Sequence, residues 1–256
     1  ANRKAIFPEG TFFLFSDTYV VDRYNNVGYK DNLSGDTIYL NRMDTVLHRQ
    51  EIAKVVESVG KSLIPSTRGC DAINLNNLQW GVISDPDTLR SAAYLSGKQG
   101  IFLNLNKGES GISINIYELQ STFRHELLHF VDAKRWDNYS ENSSFSYRNH
   151  ANIYLEQMKY PEFLKTSVDY QLNVIKSYYL QIWNEYMQRG RNKFLFYVAV
   201  ERFNEGIGKE IDAKILPDGK EDFNKKKTPT DKVTIIIKGK NEPQTVDLYI
   251  LPHPID

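Results

Sequence analysis

Apolar residues recur along the chain with two different periods, which separate strand-like from helix-like segments. In residues 1–45, short β-branched and aromatic runs alternate with turn formers, and this pattern predicts a small β meander. Residues 46–64 have apolar positions three or four apart, which predicts an amphipathic helix. A compact strand is predicted over 100–105 and a second amphipathic helix over 117–136. On this second helix Arg124 is expected to face solvent.

Helical patterning predominates in the second half of the chain. The predicted helices cover 151–165, 168–189 and 192–216, and Pro217 is expected to end the last of them. A Lys-rich stretch at 218–227 is expected to be a solvated loop, followed by a hairpin of strands 232–237 and 245–251. The fold class is therefore predicted to be α+β. We expect a β-rich segment at 1–45, a catalytic segment at 46–216 and a loop with hairpin at 217–256, together forming one compact unit.

Composition narrows the range of partners. The 32 Lys and Arg residues balance the 32 Asp and Glu residues, so no overall positive field favours binding to nucleic acid. No run approaches the roughly 18 apolar residues of a membrane span, so membrane insertion is not expected. Cys70 is the single cysteine, which excludes an internal disulfide and a thiolate-rich zinc site. We expect Cys70 to be a small buried residue, and any metal to be held by His, Glu or Asp.

The segment His125-Glu126-Leu127-Leu128-His129 lies inside the second predicted helix and has the spacing H-E-x-x-H. Four residues are slightly more than one helical turn, so both imidazoles project from one face and can hold the same Zn²⁺. Glu126 can then act as general base and take a proton from the zinc-bound water as it attacks a carbonyl group. The motif therefore predicts a zinc-dependent hydrolase.

A catalytic zinc ion takes three protein ligands, so one more donor is needed. With its H-E-x-x-H helix, the chain resembles the gluzincins, zinc metallopeptidases of the zincin fold in which a Glu on a later helix completes the site. The segment Glu210-Ile211-Asp212-Ala213-Lys214 is similar to the E-x-[D/E]-A segment of several of these families. The resemblance implies Glu210 as the third ligand, although Lys214 stands where some of those families have Asp.

Other third ligands remain open. Glu205 forms an E-x-x-x-E pair with Glu201, as in gluzincins whose second acid orients a metal-bound histidine. His150 is a further candidate, after a polar loop. Asp132, one turn beyond His129, is expected to support the site rather than to bind the metal. The Gly and third His of metzincins are absent.

The remaining catalytic roles are assigned by position. Tyr197 is the first candidate for stabilising the tetrahedral intermediate. In zincins the strand before the metal helix lies at the edge of the cleft and pairs with an extended substrate, and the resemblance gives this role to Gly100, Ile101, Phe102 and Leu103.

We therefore expect a monomeric zinc endopeptidase that acts on a protein or peptide. Two alternatives differ in class: a catalytically silent zincin-fold binding protein, and a zinc hydrolase with non-peptide substrates. The N-terminal segment from Val20 to Tyr29 is similar to the lead-in of bacterial toxin domains. This similarity implies a secreted or cell-surface location, whereas the single cysteine is equally compatible with the cytoplasm.

Overall fold

The structure is a computed structural model, and the chain divides into two compact units, Ala1–Asp137 and Asn138–Asp256. The sequence-based boundaries at 45 and 216 do not coincide with this division. The loop predicted at 218–227 and the strand end predicted at 248–251 lie outside the described residues. The structure describes residues 13–14, 19–30, 35–40, 48–75, 77–84, 92–105, 115–135, 147–189, 192–217, 232–238 and 244–247.

The first unit opens with a four-stranded antiparallel meander, as predicted. Its strands follow one another in chain order: β1 (Phe13–Leu14), β2 (Tyr19–Val21), β3 (Val27–Lys30) and β4 (Thr37–Tyr39). The turn between β2 and β3 is built around Asp22, whose carboxylate accepts the backbone N–H groups of Tyr24 and Asn26. Asn25 has a φ of 67°, a left-handed conformation that Asn tolerates better than most residues.

A second sheet in this unit contains β5 (Gln79–Ile83), β6 (Ala92–Leu95) and β7 (Gly100–Asn104). The strand order is β5-β7-β6, with β7 parallel to β5 and antiparallel to β6. The strand predicted at 100–105 is thus present, but its expected position at the sheet edge is wrong. Both sides of its backbone are paired with neighbouring strands, and among the described residues no strand pairs with the outer side of β6.

Two helices pack on one face of this sheet. Helix α1 (Arg49–Leu63) confirms the predicted amphipathic helix, and α2 (Ile116–Arg135) confirms the helix predicted at 117–136. Trp80 of β5 contacts both, since its ring lies against Gly60 of α1 and meets Phe123 of α2 edge-on at 5.9 Å. Cys70 is buried in the same core, as expected. The predicted core residues of the two helices are all buried, namely Ile52, Val55, Val56, Val59 and Leu63 on α1 and Leu119, Phe123, Leu127, Phe130 and Val131 on α2.

The second unit combines helices with a small antiparallel sheet. The helices are α3 (Tyr147–Gln157), α4 (Val168–Trp183), α5 (Lys193–Glu205) and the short α6 (Ile207–Glu210), and a π-helical turn, Asn184–Arg189, follows α4. The sheet has the order β10-β9-β8, with β8 (Ala213–Pro217), β9 (Lys232–Ile237) and β10 (Gln244–Asp247). Strands β9 and β10 are antiparallel, as predicted.

The long helix predicted at 192–216 is wrong, because the chain leaves helical geometry at Gly206 and residues 213–217 form β8. Ala213 and Ile215 are buried whereas Lys214 is exposed, and this alternation is the period of a strand. The Asn204 side chain fixes the strand against α5, since it accepts the N–H and donates to the carbonyl of Ile215. Gly208 allows the close approach, because a Cβ there would lie 2.8 Å from the Ala213 carbonyl oxygen.

The architecture confirms the predicted α+β class, with small sheets and a mainly helical remainder. Within the described parts of the chain, every helix is too short or too polar to cross a lipid bilayer.

Candidate metal centre

The helix that carries the H-E-x-x-H segment is anchored at its N-terminal end. Asn115 caps it, because its Oδ1 accepts the N–H of Tyr117 at 2.9 Å. The N–H of Ile116 donates to the carbonyl oxygen of Asn25, and Asn115 forms an antiparallel bridge with Asn26. The turn of the N-terminal meander therefore fixes the start of α2, about two and a half turns before His125.

The imidazoles of His125 and His129 converge. Their Nε2 atoms lie 3.1 Å apart, and their ring planes are inclined at 72°. Two nitrogen ligands at about 2.0 to 2.1 Å from one tetrahedral zinc ion would be separated by about 3.3 to 3.4 Å. His125 is buried and His129 is half-buried, so the pair is withdrawn from bulk solvent on one side. The spacing therefore fits a shared divalent ion with little adjustment.

A third histidine completes a possible set of ligands. Ring nitrogens of His125, His129 and His150 all lie within 4.8 Å of one another, so the three side chains are positioned to bind a metal ion. His150 belongs to the first turn of α3, and its ring stacks on Tyr154 one turn later, with centroids 4.9 Å apart and planes 13° from parallel. Neutral imidazoles are common ligands of Zn²⁺, Cu²⁺, Ni²⁺ and Fe²⁺.

Glu126 is half-buried and is held by the sheet. Its Oε2 accepts the backbone N–H of Tyr94 at 2.7 Å, within the range of charge-assisted hydrogen bonds. The Tyr94 ring packs edge-on against Phe130, four residues after Glu126 on α2. Burial raises the pKa of Tyr94 above its ordinary value.

Arg124 is buried, and the expectation that it faces solvent is wrong. Its guanidinium donates to the carbonyl oxygen of Leu63, to Ser66 Oγ and to Thr67 Oγ1. These acceptors lie at and just beyond the end of α1, where helix carbonyls lack intrahelical partners. Arg124 thus joins α2 to the end of α1 at the residue before His125, instead of contacting solvent.

The acidic candidates for the third ligand lie elsewhere on the chain. Glu205 is the last residue of α5 and Glu210 the last of α6, and both are exposed. Neither belongs to the group of histidines described above. Their ligation stays a prediction, as does the supporting role of the half-buried Asp132.

Tyr197 lies on α5, half-buried, with its ring edge-on to Phe196 at 5.4 Å. Burial raises the pKa of Tyr197 above its ordinary value. Its role in catalysis stays a prediction. Gly100, Ile101, Phe102 and Leu103 lie on the central strand, so both sides of their backbone are already paired and cannot take up an extended substrate.

Comparison with known proteins gives no family. No protein-family model, no curated protein and no solved structure matches this chain. Any function therefore has to be argued from the side chains themselves.

The sequence did not predict the hydrogen bond between Tyr94 and Glu126, and it ranked His150 below Glu210 and Glu205 as a third ligand. The donor of this hydrogen bond is a backbone N–H, which nearly every residue has, so the residue type at position 94 does not indicate the contact. His150 had a weak signal: α3 begins at Tyr147 rather than at 151, which places His150 in a helix with an aromatic residue four positions later.

Proposed function

We propose that this protein is a zinc-dependent endopeptidase with His125 and His129 as metal ligands and Glu126 as general base. The observation that carries the proposal is the 3.1 Å separation of the two Nε2 atoms on a helix whose intervening Glu126 carboxylate is half-buried. The zincin fold is part of the proposal and is supported by the H-E-x-x-H helix packed against a mixed three-stranded sheet.

Three histidines are the ligand set that the distances favour. His150 is supported as the third ligand by the 4.8 Å limit that encloses all three ring nitrogens. Glu210 and Glu205 are supported only by resemblance to gluzincins. The donor chemistry fits zinc, because imidazole nitrogen is among its preferred ligands and a three-histidine set leaves one tetrahedral position for water or substrate.

The chain's own groups supply the proton transfers. When bound, zinc would polarise the scissile carbonyl and lower the pKa of a bound water molecule toward about 7. Glu126 then accepts a proton from the attacking water and later delivers it to the leaving amine, as a general base followed by a general acid. His125 and His129 remain neutral in this scheme, since a protonated imidazole cannot bind a metal ion.

An extended peptide is the proposed substrate. The outer side of β6, on which no strand is paired among the described residues, supports pairing with a substrate backbone, because β7 is already paired on both sides. Backbone pairing with the substrate, which was expected for Gly100, Ile101, Phe102 and Leu103, is therefore assigned to Ala92–Leu95. The balanced charge of the chain adds no preference for an acidic or a basic substrate.

The decisive experiment combines metal analysis with an isosteric substitution. Elemental analysis of protein purified without chelators is expected to find about one zinc per chain, and cleavage of a peptide library is expected to be abolished by zinc removal. Glu126→Gln is expected to retain zinc while turnover falls about 100-fold to 10,000-fold, the usual contribution of a general base. Glu118→Gln, an equivalent change near the start of the same helix, is the matched control.

The proposal is abandoned if the protein binds no zinc, or if Glu126→Gln cleaves the library as fast as the unmodified protein. Zinc binding with no cleavage of any library peptide would favour the non-peptide hydrolase or the silent binding protein.

A further inference from the structure

The outermost strand of the three-stranded sheet directs one backbone group at the catalytic carboxylate. Tyr94 lies in β6, opposite Ile101 of the central strand. In an antiparallel ladder the N–H and C=O of one residue point to the same side of the strand, and neighbouring residues point to opposite sides. Because the Tyr94 N–H donates to Glu126 Oε2 at 2.7 Å, it faces away from β7. The sheet loses no internal hydrogen bond by making this contact.

A second contact holds the two elements in register. The Tyr94 ring packs on Phe130, whose side chain is buried and which follows Glu126 by four residues on the same face of α2. One polar and one apolar contact of Tyr94 therefore join strand β6 to the metal helix. The polar contact involves the only acidic residue of the H-E-x-x-H segment.

A long carboxylate side chain needs such an anchor if it is to act as a base. Glutamate has several rotatable bonds, and fixing its side chain costs conformational entropy. A general base must lie within hydrogen-bond reach of the proton it removes, and a displacement of about 1 Å can lower a rate about 100-fold. An ionised carboxylate held by a backbone N–H at 2.7 Å is restrained in position without being neutralised.

We propose that the main-chain N–H of Tyr94 positions the Glu126 carboxylate for proton transfer. This inference rests on the proposed peptidase function. Its consequence for substrate binding is that an extended peptide along β6 pairs with the carbonyl of Tyr94 and not with its N–H. The edge strand thereby orients the base as well as the substrate.

Proline offers a direct test, because it is the one natural residue without a backbone N–H. The Tyr94 N–H points away from β7, so Tyr94→Pro removes the hydrogen bond to Glu126 and no hydrogen bond of the ladder. Tyr94→Ala is the matched control, since it removes the same ring but keeps the N–H. Each variant is purified with zinc, and its metal content, kcat and KM are measured on a peptide that the unmodified protein cleaves.

We expect both variants to hold as much zinc as the unmodified protein. The kcat of Tyr94→Pro is expected to be about 10-fold to 100-fold below that of Tyr94→Ala, with KM values within about twofold. A measurement independent of turnover uses acetohydroxamate, a zinc chelator whose acidic O–H proton is shared with a nearby carboxylate. Calorimetry on the zinc-loaded proteins should show about 10-fold weaker acetohydroxamate binding for Tyr94→Pro than for Tyr94→Ala.

Equal kcat and equal acetohydroxamate affinity in the two variants would mean that the contact only joins helix to sheet. A raised KM with unchanged kcat in Tyr94→Pro would assign the N–H to substrate binding, and would also overturn the inference. If Tyr94→Pro does not fold, the same comparison is made between the unmodified protein and a backbone ester in which oxygen replaces the N–H of residue 94, with the tyrosine ring retained.

Failure of this inference is distinguishable from failure of the proposed function. If the unmodified protein neither retains zinc nor cleaves peptides, both fall together. A second case is that the unmodified protein retains zinc and cleaves peptides, and that Glu126→Gln is inactive. If Tyr94→Pro and Tyr94→Ala then have equal kcat and equal acetohydroxamate affinity, only the role of the Tyr94 N–H is rejected.

Discussion

The guanidinium of Arg124 donates to the carbonyl oxygen of Leu63 across 2.9 Å, which ties the metal helix to the end of α1. Leu63 is the last residue of α1, where carbonyl groups lack helical partners and carry the negative end of the helix dipole. Ser66 and Thr67, in the turn that follows, accept hydrogen bonds from the same guanidinium. One buried cation thus orders the turn after α1 and fixes α2 at the residue that precedes His125.

Replacing Arg124 by Met should therefore destabilise the first unit. The change leaves buried acceptors without their charged donor, and we expect the free energy of unfolding to fall by about 1.5 to 3 kcal/mol. Urea denaturation followed by circular dichroism measures the effect. Lys54→Met, at an exposed position of α1, is the control and should stay within about 0.5 kcal/mol of the unmodified protein. Equal unfolding midpoints for the two variants would contradict the structural role of Arg124.

Gly60 permits the contact between α1 and the sheet. A Cβ at this position would lie 2.1 Å from Trp80 Cζ3, and the indole ring is itself packed against Phe123. We expect Gly60→Ala to lower the free energy of unfolding by about 1 to 3 kcal/mol, although alanine favours helix formation. Gly97→Ala is the control, because no atom lies within 4 Å of a Cβ there. Thermal unfolding of the two variants makes the comparison, and a stabilised Gly60→Ala would show that Trp80 moves aside freely.

The third metal ligand can be identified by metal retention. Loss of a supporting residue around a metal site usually costs 10-fold to 100-fold in affinity, so loss of a direct ligand should cost at least about 100-fold. We expect His150→Ala to show this loss, and Glu210→Ala and Glu205→Ala to retain zinc as the unmodified protein does. Competition with a chromogenic chelator measures the three affinities. The reverse result, with zinc lost only from a Glu variant, would favour the gluzincin arrangement.

Tyr19 makes the fold sensitive to alkali. Burial raises the pKa of Tyr19 to about 12, whereas an unfolded chain ionises tyrosine near pH 10. Below pH 10 the phenol is protonated in the folded and the unfolded protein, so its contribution to the free energy of unfolding is fully present. Above pH 10 the unfolded protein ionises first, and the free energy of unfolding falls until the folded protein also ionises. The free energy of unfolding of the unmodified protein should fall between pH 9 and pH 11.5. In Tyr19→Phe this fall should be smaller by about 2 kcal/mol.

Urea titrations at the two pH values test this expectation. Tyr24→Phe, at an exposed tyrosine of the adjoining turn, is the control and should keep the pH dependence of the unmodified protein. Burial also raises the pKa of Tyr178, so a loss of stability in alkali persists in both variants. An unchanged slope in Tyr19→Phe would mean that Tyr19 ionises as readily in the folded state as in the unfolded chain.

Local patterns predicted the elements that depend on neighbours in sequence. The apolar stripe from Ile52 to Leu63 identified α1, and Phe123, Leu127 and Phe130 identified the buried face of α2, because burial at helical spacing leaves a direct periodic signal. The same reasoning failed after Gly206, where the five residues of β8 were too few to distinguish a strand from the end of a helix. The prediction that Arg124 faces solvent was also wrong, because a charged residue is normally exposed. The buried partners of Arg124 come from a segment about sixty residues away.

The sequence by itself determined that two imidazoles and a carboxylate share one helix turn, because helical geometry fixes the positions of residues four apart. Only the tertiary structure decided that β7 is central and β6 outermost, that the Tyr94 N–H holds Glu126, and that His150 accompanies His125 and His129. The physical reason is that strand order and backbone hydrogen bonds depend on which segments pack together. Backbone N–H groups are nearly identical in every residue, so their partners cannot be read from side-chain chemistry.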